Sequence, residues 1–131
     1  MGTENTPMAF DQMINLVEQR IAGHGPYVVQ TDRSRRNSPR LRITPSDSHD
    51  RWAEIVLGDE IFFLNVDRGF QLVTSEMWSP EQAELLAELT DVAVAYLEGN
   101  CIPDEGRSIL GRKRPLLKVD AAGSEYVLNK R

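Results

Sequence analysis

The residues whose chemistry could support catalysis or metal binding are few and scattered in this chain. Asp47, His49 and Asp50 lie within a Ser-Asp-Ser-His-Asp segment, a spacing that could bring carboxylate oxygens and an imidazole around a metal ion. Serine and aspartate are also the residues that hydrogen-bond their own backbone in turns, and no HExxH, CxxC or EF-hand spacing accompanies them. The segment is therefore interpreted as a turn, and no metal or cofactor is predicted.

Two further side chains could act as a base or a nucleophile. His24 lies between two glycines, and Cys101 is the only cysteine. A cysteine nucleophile needs a nearby base, and nothing in the spacing pairs Cys101 with His24 or His49. No GxGxxG, GxxxxGK or GxSxG motif occurs, which disfavours nucleotide-binding folds and hydrolases with a nucleophile elbow. The sequence does not predict an enzyme.

Charge is the most informative property of the chain, because it is sorted by segment. Residues 53–106 contain twelve carboxylates and a single cation, Arg68, whereas residues 107–118 contain five cations and no acid. Residues 31–52 carry six arginines against three aspartates. Because potentials add over a face, this sorting predicts a charged binding partner.

The sharpest part of this pattern lies on a predicted helix that begins near Ser79. Five acids recur at steps of three, four, three and seven, which places them on one helix face with no basic residue among them: Glu81, Glu84, Glu88, Asp91 and Glu98. Neighbouring like charges destabilise a helix by roughly 0.2 to 0.5 kcal/mol per pair, so the uniform sign needs a reason. Three reasons stay open: a solvated face, neutralisation by the arginine-rich segment, or a surface for a cationic partner.

A cationic protein partner would meet the acids of this helix and of nearby turns, with one aromatic side chain supplying buried area. Loop tips commonly carry recognition, although acidic residues there are also ordinary turn formers. The predicted partner-binding residues are Glu81, Glu84, Glu88, Asp91, Trp78, Asp59, Glu60 and Asp67.

The arginine-rich segment, residues 31–52, also raises the hypothesis of nucleic-acid binding, because guanidinium groups match phosphate geometry. A pI of about 5.0 leaves only small basic patches under a repelling overall field. No helix-turn-helix, ribonucleoprotein or zinc motif occurs. No nucleic-acid partner is predicted.

Hydrophobic periodicity predicts a helix, an antiparallel meander and a second helix. The first helix, capped by Thr6 with Pro7 at its first position, carries an apolar stripe at helical spacing: Phe10, Met13, Ile14, Val17 and Ile21. Five strands follow without helical crossovers, at 27–31, 40–44, 52–57, 61–66 and 70–75, as an antiparallel meander requires. Ser79, Pro80 and Gln82 form a capping-box pattern for the second helix, which runs to about Glu98.

The tail after Pro103 is polar and irregular up to Leu116, and its last apolar residues can form a C-terminal hairpin. One core is enough for a chain of 131 residues, and no linker divides it. The predicted fold class is α+β, a single domain over residues 1–131 in which an antiparallel meander sheet of about five strands is covered by two helices.

The cellular location of the protein is predicted from the absence of a membrane-spanning run, a secretory signal and a cysteine pair. No apolar run approaches the ~20 residues that cross a bilayer, and the first residues lack the pattern of a secretory signal. A single cysteine cannot form an internal disulfide, so nothing requires an oxidising compartment. A cytoplasmic protein without a membrane partner is expected, and its oligomeric state stays open.

In its size, its acidity, its lack of a catalytic set and its carboxylate-striped helix, the chain resembles the cytoplasmic immunity proteins that are paired with bacterial toxins. The resemblance is one of overall build. It implies a non-enzymatic protein that binds a cationic toxin domain, often one acting on nucleic acid or nucleotide, and blocks its active site or the approach of its substrate. The acids around Glu84 would then meet lysine or arginine side chains of the toxin.

Two alternatives stay open. Escort chaperones of secreted proteins are similar in size and acidity, although they usually finish with a helix, whereas residues 107–131 here are basic and β-like. A small enzyme or ligand-binding domain could instead hold a pocket between helix and sheet, with His24, His49, Arg68 or Cys101 as its polar groups.

Overall fold

Two helices and eight strands make up the computed structural model over the residues that it describes, which are 6–48, 50–107, 111 and 113–131. The helices are α1 (Phe10–His24) and α2 (Ser79–Leu97). The strands, in chain order, are β1 (Tyr27–Asp32), β2 (Arg40–Pro45), β3 (Ala53–Val56), β4 (Ile61–Val66), β5 (Phe70–Ser75), β6 (Cys101–Arg107), β7 (Lys113–Ala121) and β8 (Ser124–Lys130). The α+β class with two helices and an antiparallel sheet is confirmed. Within the described ranges, neither helix is long and apolar enough to span a membrane.

The prediction of about five strands is wrong, because eight strands join one antiparallel sheet. The five predicted strands are present within one residue of their expected ends, and β7 and β8 form the C-terminal hairpin. β6 occupies a segment that was expected to be irregular. It is an edge strand that pairs with β7, and residues 102–105 are all exposed, so most of the strand has no buried face that would require apolar alternation.

Pro103 lies within β6 and explains why this strand is difficult to predict. A proline has no N–H for a central ladder, so it is confined to edge strands. Asp120 N donates to Asn100 O at 2.9 Å, so the backbone polar groups of Asn100 point toward β7. These groups alternate in direction along a strand, so the backbone nitrogen of Pro103 points away from β7. The proline therefore costs no ladder bond and leaves the outer edge of β6 with one donor fewer.

The strand order is β1-β2-β3-β4-β5-β8-β7-β6. The first five strands form the predicted meander. α2 then carries the chain over one face of the sheet to the far edge, and the last three strands return as a second meander toward β5. Among the described residues, β5 and β8 join the two meanders through two ladder pairs, Phe70 with Lys130 and Gln71 with Asn129.

The core lies between the sheet and the two helices. The apolar stripe of α1 is confirmed, with four of its residues buried: Met13, Ile14, Val17 and Ile21. Alternate strand residues such as Leu41, Phe62 and Leu117 are buried with them, together with the inner side chains of α2, among them Leu86 and Leu89. The side chains between these on each strand point to the opposite face of the sheet, which no described element covers.

Both helices begin differently from the capping patterns in the sequence. α1 begins at Phe10 rather than at Pro7, and the N-cap residue Ala9 donates its backbone N–H to Oε1 of Gln12 at 3.1 Å. α2 begins at Ser79, yet its N-cap is Trp78 and no side chain caps it. The reason is that residues 6–8 run beside the start of α2, where Thr6 O accepts a hydrogen bond from Ser79 N at 3.0 Å.

Gln82, expected to belong to a capping box, is fully buried and holds three segments together. Its Oε1 accepts a hydrogen bond from Met8 N at 2.7 Å. Its Nε2 donates to the carbonyls of Asp59 at 2.7 Å and Glu76 at 2.9 Å. A buried amide is stable only when its polar atoms are satisfied, and here both ends are. The first turn of α2 is thereby fixed to the N-terminal segment, the β3–β4 turn and the β5–α2 connection.

Replacing Gln82 with Ala should lower the free energy of unfolding by about 2 to 4 kcal/mol, because a buried side chain would be truncated and three backbone groups would lose their hydrogen-bond partner. Urea denaturation measures this change. Gln19→Ala, at an exposed position of α1, is the matched control and should remain within about 0.5 kcal/mol of the wild type. Equal effects of the two substitutions would contradict the anchoring role of Gln82.

Candidate functional site

The carboxylates on the acidic face of α2 differ in whether a cation of the described chain is bound to them. Glu81, Glu84 and Glu88 are exposed, and no cation of the described chain lies within ion-pair distance of them. The Tyr126 hydroxyl lies 3.5 Å from Oε2 of Glu88. Burial, and then the charge of Glu88, raise the pKa of the Tyr126 phenol. Glu81, Glu84 and Glu88 are called the acidic patch below.

Asp91 lies outside the acidic patch because α1 neutralises it. Arg20 donates two hydrogen bonds to its carboxylate, at 2.9 and 2.7 Å, and Nε2 of His24 lies 2.9 Å from Oδ1. The hydrogen bond from Arg20 outweighs the opposing effect of burial and holds the pKa of Asp91 below its usual value. Asp91 was predicted to bind a partner, and it could do so only in competition with Arg20. Sequence spacing could not reveal this pair, since its members are 71 residues apart.

The arginine-rich segment, residues 31–52, does not neutralise the acidic patch. Arg33 pairs with Asp11 on α1 at 2.6 Å. Arg40 and Arg42 lie 3.6 and 3.3 Å from the carboxylate oxygens of Glu54, a largely buried residue of β3. Within the described chain, the arginine-rich segment therefore forms no ion pair with the acids of α2: the cations at Asp91 come from α1, and the acidic patch has none.

A second polar cluster lies at the C-terminal end of α2. The buried Tyr96 hydroxyl donates to Asp67 Oδ1 at 2.8 Å, and the same oxygen accepts a hydrogen bond from Trp52 N at 3.1 Å. Burial, and then the hydrogen bond to Asp67, raise the pKa of Tyr96. Arg51 donates to the Tyr96 carbonyl, supplying the cation that the last turn of α2 lacks. Asp67, predicted for partner binding, is thus occupied inside the fold.

The other predicted residues gather at the opposite end of α2. Asp59 and Glu60 are exposed in the β3–β4 turn, and Glu60 O accepts a hydrogen bond from Glu76 N at 2.9 Å, just before the helix begins. Trp78 follows as the N-cap residue with 40% of its surface exposed. These side chains and Glu81 therefore form one acidic corner with an aromatic residue in it.

The uncovered face of the sheet is a surface that the sequence did not single out. Phe63 on β4 pairs with Val56 on one side and with Val73 on the other, so an apolar row crosses three strands. Four large apolar residues of this face are between 37% and 69% exposed: Ile61, Val73, Ile102 and Val127. Period-two alternation in β4 and β5 was the available signal, but alternation alone cannot say whether a second layer covers the outer face.

The polar groups considered for a pocket between helix and sheet are joined by no described contact. His24 is bound to Asp91, and the Arg68 guanidinium lies 5.9 Å from the centre of the Tyr96 ring. Cys101 lines a surface depression of about 820 Å³ between β6, β7 and the β7–β8 turn. His49, and with it the metal hypothesis for its segment, lies outside the described residues. Within the described ranges, no three His, Cys, Asp or Glu side chains are grouped so that they could hold a metal ion.

Comparison with known proteins supplies no relative. No family model matches the chain, no curated protein matches it, and no solved structure matches it. Its function must therefore be argued from the residues themselves.

Replacing Asp91 with Asn should lower the free energy of unfolding by about 1 kcal/mol at neutral pH, because the charge-assisted bonds from Arg20 would be lost. The effect should disappear in acid. A carboxyl whose folded pKa lies below its unfolded value of about 3.9 stabilises the fold above that value and loses its contribution as the pH falls through the folded pKa.

Urea denaturation at about pH 7 and about pH 3 measures both effects. Asp120→Asn is the matched control, since Asp120 is exposed and no described cation pairs with it. A difference between wild type and the Asp91 variant that is equally large at both pH values would contradict the ion-pair explanation.

Proposed function

We propose that this protein is a non-enzymatic binding module that neutralises a basic protein, as an immunity protein neutralises its toxin. The acidic patch carries the proposal: three exposed carboxylates on one helix face without a cation of the described chain beside them. Like charges on adjacent turns destabilise the helix, and a lysine at four-residue spacing would remove that cost. A cationic surface that binds these carboxylates would remove the same repulsion, which favours a basic partner.

The residues around the acidic patch would contribute both apolar area and negative charge to such an interface. Trp78 and Met77, 40% and 48% exposed, supply apolar area beside the patch. Buried aromatic anchors usually contribute most of the binding energy, while charges around them speed encounter and select the partner. Asp59 and Glu60 in the adjoining turn extend the negative field over the same corner.

The partner favoured by this corner is a small domain with a surface rich in lysine and arginine, such as a toxin domain that acts on nucleic acid. Bound there, this protein would cover the active site of that domain or the approach of its substrate, without performing any chemistry itself. We place this event in the cytoplasm of the producing cell, before the toxin meets its target.

Glu84→Lys combined with Glu88→Lys should weaken binding of the partner by about 10- to 100-fold at low ionic strength, chiefly through slower association. The partner to test is a small basic C-terminal domain of a secreted protein encoded beside this gene. Calorimetry at two salt concentrations measures the affinity, and growth of cells that produce the basic domain measures neutralisation.

The matched control is Glu18→Lys combined with Glu98→Lys, which changes the net charge equally at exposed positions on α1 and beyond the end of α2. It should retain neutralisation and most of the affinity. Equal losses in both double variants would assign the effect to total charge, and unchanged binding in the Glu84 and Glu88 variant would reject the acidic patch as the contact surface.

A further inference from the structure

The junction between the two meanders leaves an opening in the sheet. β5 and β8 pair only at Phe70 with Lys130 and Gln71 with Asn129, although both strands continue well beyond these pairs. β5 extends to Ser75, and β8 begins at Ser124. The unpaired stretches, residues 72–75 of β5 and 124–128 of β8, bound what is called the β5–β8 gap below.

The backbone on both sides of the β5–β8 gap points into it. The hydrogen bond from Arg131 N to Gly69 O, 2.9 Å long, belongs to the same antiparallel register as the Gln71–Asn129 pair. Because ladder bonds alternate along a strand, the next groups that face the opposite strand are those of Val73 and Val127. Neither residue has a ladder partner on that side, so two short strand edges face each other inside the sheet.

The side chains along the β5–β8 gap differ between its two faces. On the uncovered face lie Val73 and Val127, 53% and 37% exposed. On the helix side lie Thr74, whose buried Oγ1 has no hydrogen-bond partner among the described residues, and Tyr126, whose hydroxyl reaches Glu88 of the acidic patch. The helix side also contains the core residues Leu72 and Leu128, next to the paired end of the strands. An extended segment entering the gap would therefore meet apolar surface on one side, and on the other side polar and negatively charged groups only where Thr74, Tyr126 and Glu88 lie.

We infer that the β5–β8 gap receives an extended segment of the basic partner, which adds a strand between β5 and β8. Its backbone would pair with Val73 and Val127, and strand addition of this kind takes its affinity from main-chain hydrogen bonds. Its alternate side chains would be apolar toward the two valines and cationic toward Glu88. This inference rests on the proposed function for the charge of the occupant, and it adds the mode of binding.

The charge complementarity selects a basic segment over other occupants. A segment with acidic side chains on its helix side would face Glu88, which is bound to no cation of the described chain, because Lys130 at the end of β8 donates to Arg68 O at 3.0 Å and Lys118 on β7 is bound to Asp104 at 2.9 Å. A second copy of this chain would have to offer a free strand edge: β1 includes no lysine or arginine, and in β6 the one cation, Arg107, follows Asp104 and Glu105.

The test uses the full chain and a peptide of about eight residues in which valine and lysine alternate. Saturating peptide should slow amide hydrogen exchange at Val73 and Val127 by about ten-fold or more, as measured by NMR. The amides of Val29 and Thr31, on the outer edge of β1, are the internal control and should not change. Equal protection at both edges, or binding without protection of Val73 and Val127, would overturn the inference.

Side-chain specificity is tested with two related peptides. A peptide with glutamate in place of lysine, and one with proline in place of the central valines, should each bind at least about ten-fold more weakly, because the first loses the charge match and the second loses backbone donors. Binding of either peptide as tightly as the valine–lysine peptide would contradict the proposed occupant.

Val73→Lys should weaken binding of the valine–lysine peptide by about ten-fold, since a lysine at a strand edge hinders pairing. Val28→Lys is the matched control: Val28 lies on the same uncovered face, 40% exposed, but on β1. Equal losses in both variants would overturn the inference. If Val73→Lys unfolds the protein, amide hydrogen exchange at Val73 and Val127 of the wild-type protein still tests the inference.

Sedimentation at increasing protein concentration examines the second-copy alternative. Dimerisation that Val73→Lys abolishes would assign the β5–β8 gap to another copy of this chain and overturn the basic-segment inference; a monomer supports it. The proposed function fails separately, because binding of the whole basic domain that depends on Glu84 and Glu88 can persist when no peptide enters the gap.

Discussion

The path of α2 across the sheet is the constraint on which the rest of the molecule depends. The chain leaves β5 in the interior of the strand order and must reach the far edge, where β6 begins, so one helix has to span the intervening strands. Its inner side chains must be apolar to bury the sheet, and its charged residues are therefore confined to the outer face. Gln82 at the first turn and Arg51 at the last carbonyls fix both ends of this path.

The acids of α2 have different roles because their neighbours differ. Asp91 faces α1 and is held by Arg20 and His24, so it contributes to packing the two helices together. Glu81, Glu84 and Glu88 are exposed and receive no cation of the described chain. Four of the six arginines of residues 31–52 are instead bound to Asp11 and Glu54 or donate to the last turn of the helix. Charge sorted along the sequence is thus balanced locally at Asp91, Asp11 and Glu54 and left unbalanced at the acidic patch.

The same helix path explains the opening between β5 and β8. The last three strands start from the far edge and return inward, so β8 meets β5 only with its final residues. Val73 and Val127 are left with exposed side chains and unpaired edges, and Tyr126 links this opening to the acidic patch through Glu88. The acidic patch and the opening are therefore parts of one region, built by the geometry that the crossover helix imposes.

Periodicity and turn chemistry determined the local elements: the stripe of α1, the five-strand meander and the position of α2 follow from residue types at fixed spacing, because these depend on backbone geometry alone. The sequence also placed the acidic residues of α2 on one face. The tertiary structure decided the contacts between distant residues, which residue spacing cannot determine. It placed β6 at the edge of the sheet, where Pro103 costs no ladder bond; it buried Gln82 as an anchor rather than a cap; and it paired Asp91 with Arg20 across 71 residues. Such pairings depend on which elements become neighbours, and that is set by the burial of all apolar faces together rather than by any segment of the chain.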